Sequence, residues 1–218
     1  MSKKSQISVT LRHFTPLEVC VYSIRTCWQS FDKSDNCGEK DRALVDRISN
    51  KLKHSSTLEH LNYNFYIQGI SRACLQELAR HRMSSFSVKS TRYTLGELKK
   101  EQSFLDPSDE NFMRAEKFIV LVGNEAVDLA SLKALEGLRE LIASGVRLDL
   151  AKYALPESYK TELSWSVNAR SLQNFLSLRS GKTALWEIQD LAHAIFCSIP
   201  QDHKMLFEHC INHENTTN

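Results

Sequence analysis

Hydrophobic and polar positions alternate over residues 7–13, with Ile7, Val9 and Leu11 on one side and Ser8, Thr10 and Arg12 on the other. A period of two marks a half-buried strand. Thr15-Pro16 then opens a helix, since proline suits the first helical position. Leu44, Ile48 and Leu52 share a four-residue spacing within 39–53, which predicts an amphipathic helix. Leu61, Tyr63, Phe65 and Ile67 alternate again, so a strand is predicted to Gln68 and to end at Gly69. Ser71 is suited to cap a helix through about His81. Residues 84–94 (SSFSVKSTRYT) are rich in hydroxyls without an apolar period and read as a loop, as do residues 102–110. A long helix is predicted over about 110–143, closed by Ser144-Gly145, and a short one over 146–154 that stops before Pro156. Leu163, Trp165 and Val167 mark a strand over 161–167. Asn168 can cap the following helix, which runs to Arg179 and ends at Gly181. The last helices are predicted over 184–198 and 201–213, split by Pro200, and the tail 214–218 (ENTTN) is expected to fray. A few strands separated by helices, without repeats or a linker, give an α+β fold class. The expectation is a single mixed α/β domain over 1–218, with a small, mainly antiparallel sheet packed by helices.

Composition narrows the function classes. A chain of 218 residues can bury a core without disulfide staples. With 42% hydrophobic and 25% charged residues it is neither disordered nor fibrous. Lys and Arg number 28 against 26 Asp and Glu, a net charge of +2, which argues against a general nucleic-acid or anionic-membrane binder. No apolar run reaches membrane-spanning length, and the start MSKKSQISVT lacks the apolar core of a signal peptide, so a cytoplasmic protein is expected. The cysteines Cys20, Cys27, Cys37, Cys74, Cys197 and Cys210 form no CxxC pair, so free thiols are expected and structural zinc is not.

Three polar clusters carry candidate chemistry. Arg80-His81-Arg82 is followed by Ser84, Ser85, Ser87, Ser90, Thr91 and Arg92. Basic residues in a helix's last turn complement its negative end, but this explains only one or two of them. Guanidinium forks, hydroxyls and loop N–H groups are the donors a phosphate or nucleotide needs. A solvated basic loop is the other reading. The second cluster is His54, Ser55, Ser56, Thr57, Glu59 and His60. Its two histidines and glutamate invite a metal reading, yet the spacing lacks HxxxH, and a capped loop with hydrogen-bonded histidines is the commoner outcome. The third is Asn168, Arg170, Ser171, Asn174 and Arg179, which can share a broad helix face, either for binding or as a surface salt-bridge face. No GxSxG elbow surrounds Ser90, and neither GxGxxG nor GxxxxGK[ST] is present, so a dinucleotide would be bound without a Rossmann or P-loop fingerprint.

Together these clusters resemble the flavin-dependent thymidylate synthase family, also called thymidylate synthase complementing proteins. Arg80-His81-Arg82 followed after seven residues by Ser90 resembles its RHRx7S motif. The wider RHRxxSxNxxSxRY pattern is met at Ser85, Ser90, Arg92 and Tyr93, the NARSLxNFLxLR block from Asn168 to Arg179, and H-x-S/T-x-x-E-H from His54 to His60. The sequence departs from the pattern at Ser87 (usually Asn), Val88 (often acidic), Lys152 (an arginine that meets substrate phosphate) and Glu77 (often Gln). Lysine keeps charge there but loses the bidentate fork.

The resemblance implies a homotetramer with FAD sites shared between subunits, and no metal, nucleic-acid or membrane partner. It implies methylation of dUMP to dTMP with 5,10-methylenetetrahydrofolate as carbon donor and NADPH as reductant, releasing tetrahydrofolate. By the same resemblance Ser56, Arg80, His81, Arg82, Val88, Asn168, Arg170 and Asn174 fall to the flavin. Glu77, Leu78, Ala79, Arg80, Val88, Lys89, Ser90, Thr91, Arg92, Lys152 and Arg179 fall to the nucleotide, with Val88 acting through its backbone and Ser90 binding or orienting. Arg179 corresponds to the arginine that polarises the uracil ring. No cysteine falls within the three blocks, so activation of uracil without a cysteine at C6 is expected. Two other readings compete: a flavoprotein that only oxidises NADPH, and a nucleic-acid-binding module using the basic loop.

Overall fold

The computed structural model describes residues 6–212; the expected fraying of 214–218 lies outside the described residues. Four strands form one sheet: β1 (Ser8–Phe14), β2 (Asn62–Ser71), β3 (Ser84–Val88) and β4 (Lys160–Asn168), in the order β1-β2-β4-β3. The central pair is antiparallel. Asn64 bonds Ser166 at 2.7 Å and Gln68 bonds Glu162 at 3.2 Å, so positions advance along β2 as they recede along β4. The edge pairs follow the same sense: Thr15 N–H donates to the Asn62 carbonyl, and Lys89 N–H to the Glu162 carbonyl.

The helices are α1 (Leu17–Trp28), α2 (Glu39–Val45), α3 (Arg72–Leu78), α4 (Thr91–Thr94), α5 (Asp109–Ala115), α6 (Glu125–Ala143), α7 (Leu148–Ala151), α8 (Ala169–Arg179) and α9 (Trp186–Ser198). Among the described residues the chain divides into two compact units. One takes 6–8, 68–77 and 87–163, the other 9–67, 78–86 and 164–212.

In the first unit α6 turns Leu132, Leu135, Leu138 and Ile142 onto Leu95, Leu98, Phe104, Ile119 and Tyr159, all buried. A buried carboxylate closes this core: Glu136 pairs with Arg139 at 2.7 Å and accepts from Phe104 N–H at 2.8 Å and Ser103 Oγ at 2.9 Å. The Arg139 hydrogen bond outweighs the opposing effect of burial and lowers the Glu136 pKa to about 2. Gly69 lies in β2 at φ +79°, and a Cβ there would stand 2.8 Å from the Gln6 carbonyl oxygen. Gly69→Ala combines left-handed strain with that backbone clash. We expect it to destabilise the protein by about 2 kcal/mol, read as a lower urea midpoint; an unchanged midpoint would show that this contact relaxes freely.

In the second unit the alternation in β2 and β4 buries Tyr63, Phe65 and Ile67 with Leu163's neighbours Trp165 and Val167. Trp165 meets Phe65 at 5.9 Å and Phe175 of α8 at 5.1 Å between ring centroids. These are favourable tilted and edge-to-face contacts. Leu172 and Leu176 of α8, Ile188, Leu191 and Ile195 of α9, and Val21 and Ile24 of α1 are also buried.

Several sequence expectations are corrected. Residues 84–94 are not a loop: they form β3 and α4, because backbone pairing to β4 stabilises a strand whose side chains carry little apolar signal. The long helix over 110–143 is broken. Ile119 pairs with Tyr159 in an antiparallel bridge, and Gly123 at φ +78° turns the chain into α6, capped by Asn124. The helix over 39–53 is α-helical only to Val45 and continues as a π-helical turn over Asp46–Lys51. The final helix over 201–213 is two 3-10 turns, Gln201–Leu206 and Glu208–Cys210. Ser71 caps α3 as expected, its Oγ accepting from Cys74 N–H at 3.0 Å, but that helix ends at Leu78.

Candidate active site

The second unit holds a cleft of about 620 Å³ lined by Glu59, Arg80, His81, Arg82, Asn168, Arg170, Ser171, Asn174 and Arg179, with Met83 and Leu178. Three elements supply it. The first is α8, which follows β4 without an intervening residue. Asn168 ends the strand and caps the helix, its Oδ1 accepting from Ser171 N–H at 2.8 Å. With Leu172, Phe175 and Leu176 buried, the opposite side of α8 presents Arg170 and Asn174 to the cleft, while Arg179, one turn beyond Phe175, lines it from the helix's last turn. The helical spacing read from the sequence thus describes a cleft wall rather than a plain salt-bridge face.

The second element is the connection from α3 to β3. His81 N–H donates to the Leu78 carbonyl at 3.0 Å, and Ser84 Oγ donates to the His81 carbonyl at 2.6 Å. These bonds fold the Arg80-His81-Arg82 segment tightly. The His81 ring is buried, edge-on to Phe175 at 5.0 Å. Its Nε2 accepts from Arg179 Nε at 3.1 Å, so that nitrogen carries no proton. Arg80 and Arg82 are exposed.

The third element is the 3-10 turn Ser55–His60, anchored by buried Leu58. Glu59 projects from it, and its Oε1 lies 2.6 Å from Arg170 Nη1. Ser56 is exposed on this turn and is not among the residues lining the cleft. Thr57 Oγ1 donates to the His54 carbonyl at 3.0 Å, so the loop is capped as expected. The histidines depart from expectation: His54 and His60 are exposed, and neither ring is hydrogen-bonded among the described residues. Among those residues no group of three or more His, Cys, Asp or Glu converges on a common point.

The structure therefore brings together Arg80, His81, Arg82, Asn168, Arg170, Asn174 and Arg179 from two separate sequence blocks. Leu78 is wholly buried, with its carbonyl taken by His81 N–H, whereas Ala79 is exposed. The other assigned residues belong to the first unit. Glu77 lies in α3 and Val88 ends β3. Lys89 Nζ pairs with Glu162 at 3.1 Å. Ser90 precedes α4, its carbonyl accepting from Tyr93 and Thr94 N–H. Thr91 is buried, Arg92 is exposed over the Tyr93 ring, and Lys152 opens the 3-10 turn Lys152–Ala154. The sequence reading weighed Glu59 only as a metal ligand beside His54 and His60, not as the cleft's carboxylate. Its signal was present in the His54–His60 block, but its partner lies 111 residues away.

Four guanidinium groups, two amides and a hydroxyl around one cleft make a strong receptor for an anionic ligand with several acceptor oxygens. A family model described as thymidylate synthase complementing protein matches residues 10–203. A flavin-dependent thymidylate synthase from Campylobacter jejuni is 62% identical over 206 residues, covering 94% of this chain and 98% of that protein. One from Wolinella succinogenes is 60% identical, covering 95% and 100%. The crystal structure of thymidylate synthase X from Helicobacter pylori with FAD and dUMP superposes at a TM-score of 0.92 with 56% identity, covering 94% of this chain and 100% of that one.

Proposed function

Because the chain belongs to the thymidylate synthase complementing protein family, we propose that it is an FAD-dependent thymidylate synthase that methylates dUMP to dTMP. The carbon donor is 5,10-methylenetetrahydrofolate, the reductant is NADPH, and tetrahydrofolate is released. The observation that carries this reading is the cleft, where the RHR segment and the face of α8 converge. The donor set fits a flavin dinucleotide: Arg80, Arg82 and Arg170 suit its phosphates, and Asn168, Asn174 and Ser171 suit its neutral polar groups. Held by these residues and reduced by NADPH, the flavin would supply the hydride that reduces the transferred carbon.

The chain's own residues bind, orient and polarise. Arg179 stabilises negative charge that develops on the pyrimidine when C5 attacks the one-carbon unit. His81 holds Arg179 Nε, which limits the rotation of its guanidinium fork. Residues 77–80, 88–92 and Lys152 bind the nucleotide; Ser90 orients it, and Val88 contributes backbone. Ser56 and Val88 also contact the flavin. The chain acts as one synthase domain and as a cytoplasmic homotetramer with shared FAD sites. Among the described residues no helix is long and apolar enough to cross a membrane.

The test is tritium release from C5-labelled dUMP by purified protein with methylenetetrahydrofolate, FAD and NADPH, and with each left out in turn. Release that needs all three is expected. Flavin-loaded protein that oxidises NADPH without release would be an oxidase. Folded protein that takes up no flavin and binds polynucleotide in a salt-sensitive way would be a nucleic-acid module.

A further inference from the structure

Glu59 is the one carboxylate among the cleft's lining residues, which also include Arg80, Arg82, Arg170 and Arg179. It bonds Arg170 Nη1 at 2.6 Å, a short charge-assisted contact. The two side chains are 47% and 57% exposed, and ion pairs this accessible are worth little net. The pair is therefore formed in the protein alone yet easily exchanged for another anion. Its position adds a second argument. Arg170 is the second residue of α8, whose first turn holds no acid. A cation is disfavoured at that positive helix end and an anion is favoured. Glu59 thus puts its carboxylate on the guanidinium that a phosphate arriving at that helix end would use.

We propose that Glu59 is an internal competitor for the anionic group that Arg170 receives: its carboxylate occupies the arginine until a phosphate-bearing ligand displaces it. The identity of that ligand rests on the synthase reading; the competition does not. Glu59 keeps Arg170 extended into the cleft and lowers the cleft's affinity for anions by one charge. A ligand must then engage several arginines at once to win, so an extended diphosphate is favoured over a small single anion. After exchange the released carboxylate faces the bound phosphate across a short distance, which speeds release.

The experiment is calorimetric titration of the full chain, freed of flavin by dialysis at high salt, with inorganic pyrophosphate at two ionic strengths. Glu59→Gln is expected to bind about threefold to tenfold more tightly, with a steeper loss on adding salt. Glu59→Asp, which keeps the charge, should stay near wild type. Arg170→Gln should bind more weakly, and adding Glu59→Gln to it should recover little. Weaker or unchanged binding by Glu59→Gln would overturn the proposal and make Glu59 a mere support for Arg170. So would a gain that persists without Arg170, since it would come from net charge alone. Thermal unfolding of each variant separates these outcomes from misfolding. A chain that makes dTMP but lacks this pattern defeats the competition alone; a chain with the pattern but no flavin uptake defeats the synthase reading alone.

Discussion

Arg179→Ala is expected to lower turnover by about a hundredfold to a thousandfold while weakening dUMP binding by no more than about tenfold. The asymmetry follows from the role proposed for this side chain. A group that meets charge only as it develops contributes to the transition state and little to the ground state. Arg179 is also held before any ligand arrives, its Nε donating to His81 Nε2 at 3.1 Å, so little reorganisation is left for the reacting complex. Arg179→Lys keeps the charge but loses the fork and the Nε donor, and should recover only a small part of the rate. Tritium release measures turnover, and equilibrium dialysis with labelled dUMP measures binding. Near-normal turnover in Arg179→Ala would remove the role. An equal loss in both measurements would make Arg179 a binding residue.

The largest effect on stability is expected at a pair that does not line the cleft. Asp41 and Arg25 form an ion pair at 0% and 4% exposure. Asp41 also accepts from Ser34 Oγ at 2.6 Å and from Cys37 N–H at 3.0 Å. Arg25 Nη1 donates to the Ser30 carbonyl at 2.7 Å and Nη2 to the Lys33 carbonyl at 3.0 Å. The pair thus ties the segment over residues 30–37 to α1 and α2. Asp41→Asn leaves a buried guanidinium without its counter-charge, which costs about 3–5 kcal/mol. A fall in Tm of about 10 °C follows for a chain of this size. Burial by itself would raise the Asp41 pKa, but the hydrogen bonds from Ser34 and Arg25 outweigh it and hold the group at about 2, below its ordinary 3.8. A depressed carboxyl stabilises the fold fully above its unfolded pKa and loses that contribution as pH falls toward the folded value. Wild-type Tm should therefore drop between about pH 4 and pH 2. The Asn variant should start lower and drop less, with the Glu136 contribution remaining. Thermal scans across this range decide it: a shift of only a degree or two at neutral pH would show that the site relaxes around the lost charge.

Legibility of the fold in the sequence depended on whether a segment's partner lay close along the chain. The alternation of β4, the cap at Asn168 and the buried stripe of α8 are local, and all three were readable. β3 was not: Ser84–Val88 shows only Phe86 and Val88 as large apolar residues, and its stability comes from pairing with β4. The break before α6 was partly written in Gly123-Asn124. The apolar run over residues 118–121 masked it, because a buried extended segment and a helix share that composition. The deciding interaction is Val120 N–H donating to the Ser158 carbonyl at 2.7 Å. In the site, the cationic motif residues were recognisable as a set. The contacts that organise them, His81 with Arg179 and Glu59 with Arg170, span 98 and 111 residues, and no spacing rule reaches that far.

The direct passage from β4 into α8 limits how this region can vary in length. Asn168 belongs to the strand by its backbone and to the helix by its side chain, so sheet register and helix phase are geared together. One inserted residue after Asn168 would turn α8 by about 100°, carrying Arg170, Asn174 and Arg179 away from the cleft and driving Phe175 off Trp165. The junction can tolerate exchanges of side chain but not insertions or deletions. Length changes are better tolerated where the chain is exposed beyond the core anchor Phe104, as at residues 105–107. Descendants of this sequence can therefore drift in size through that first-unit segment while the distance between the strand's end and the arginines stays constant.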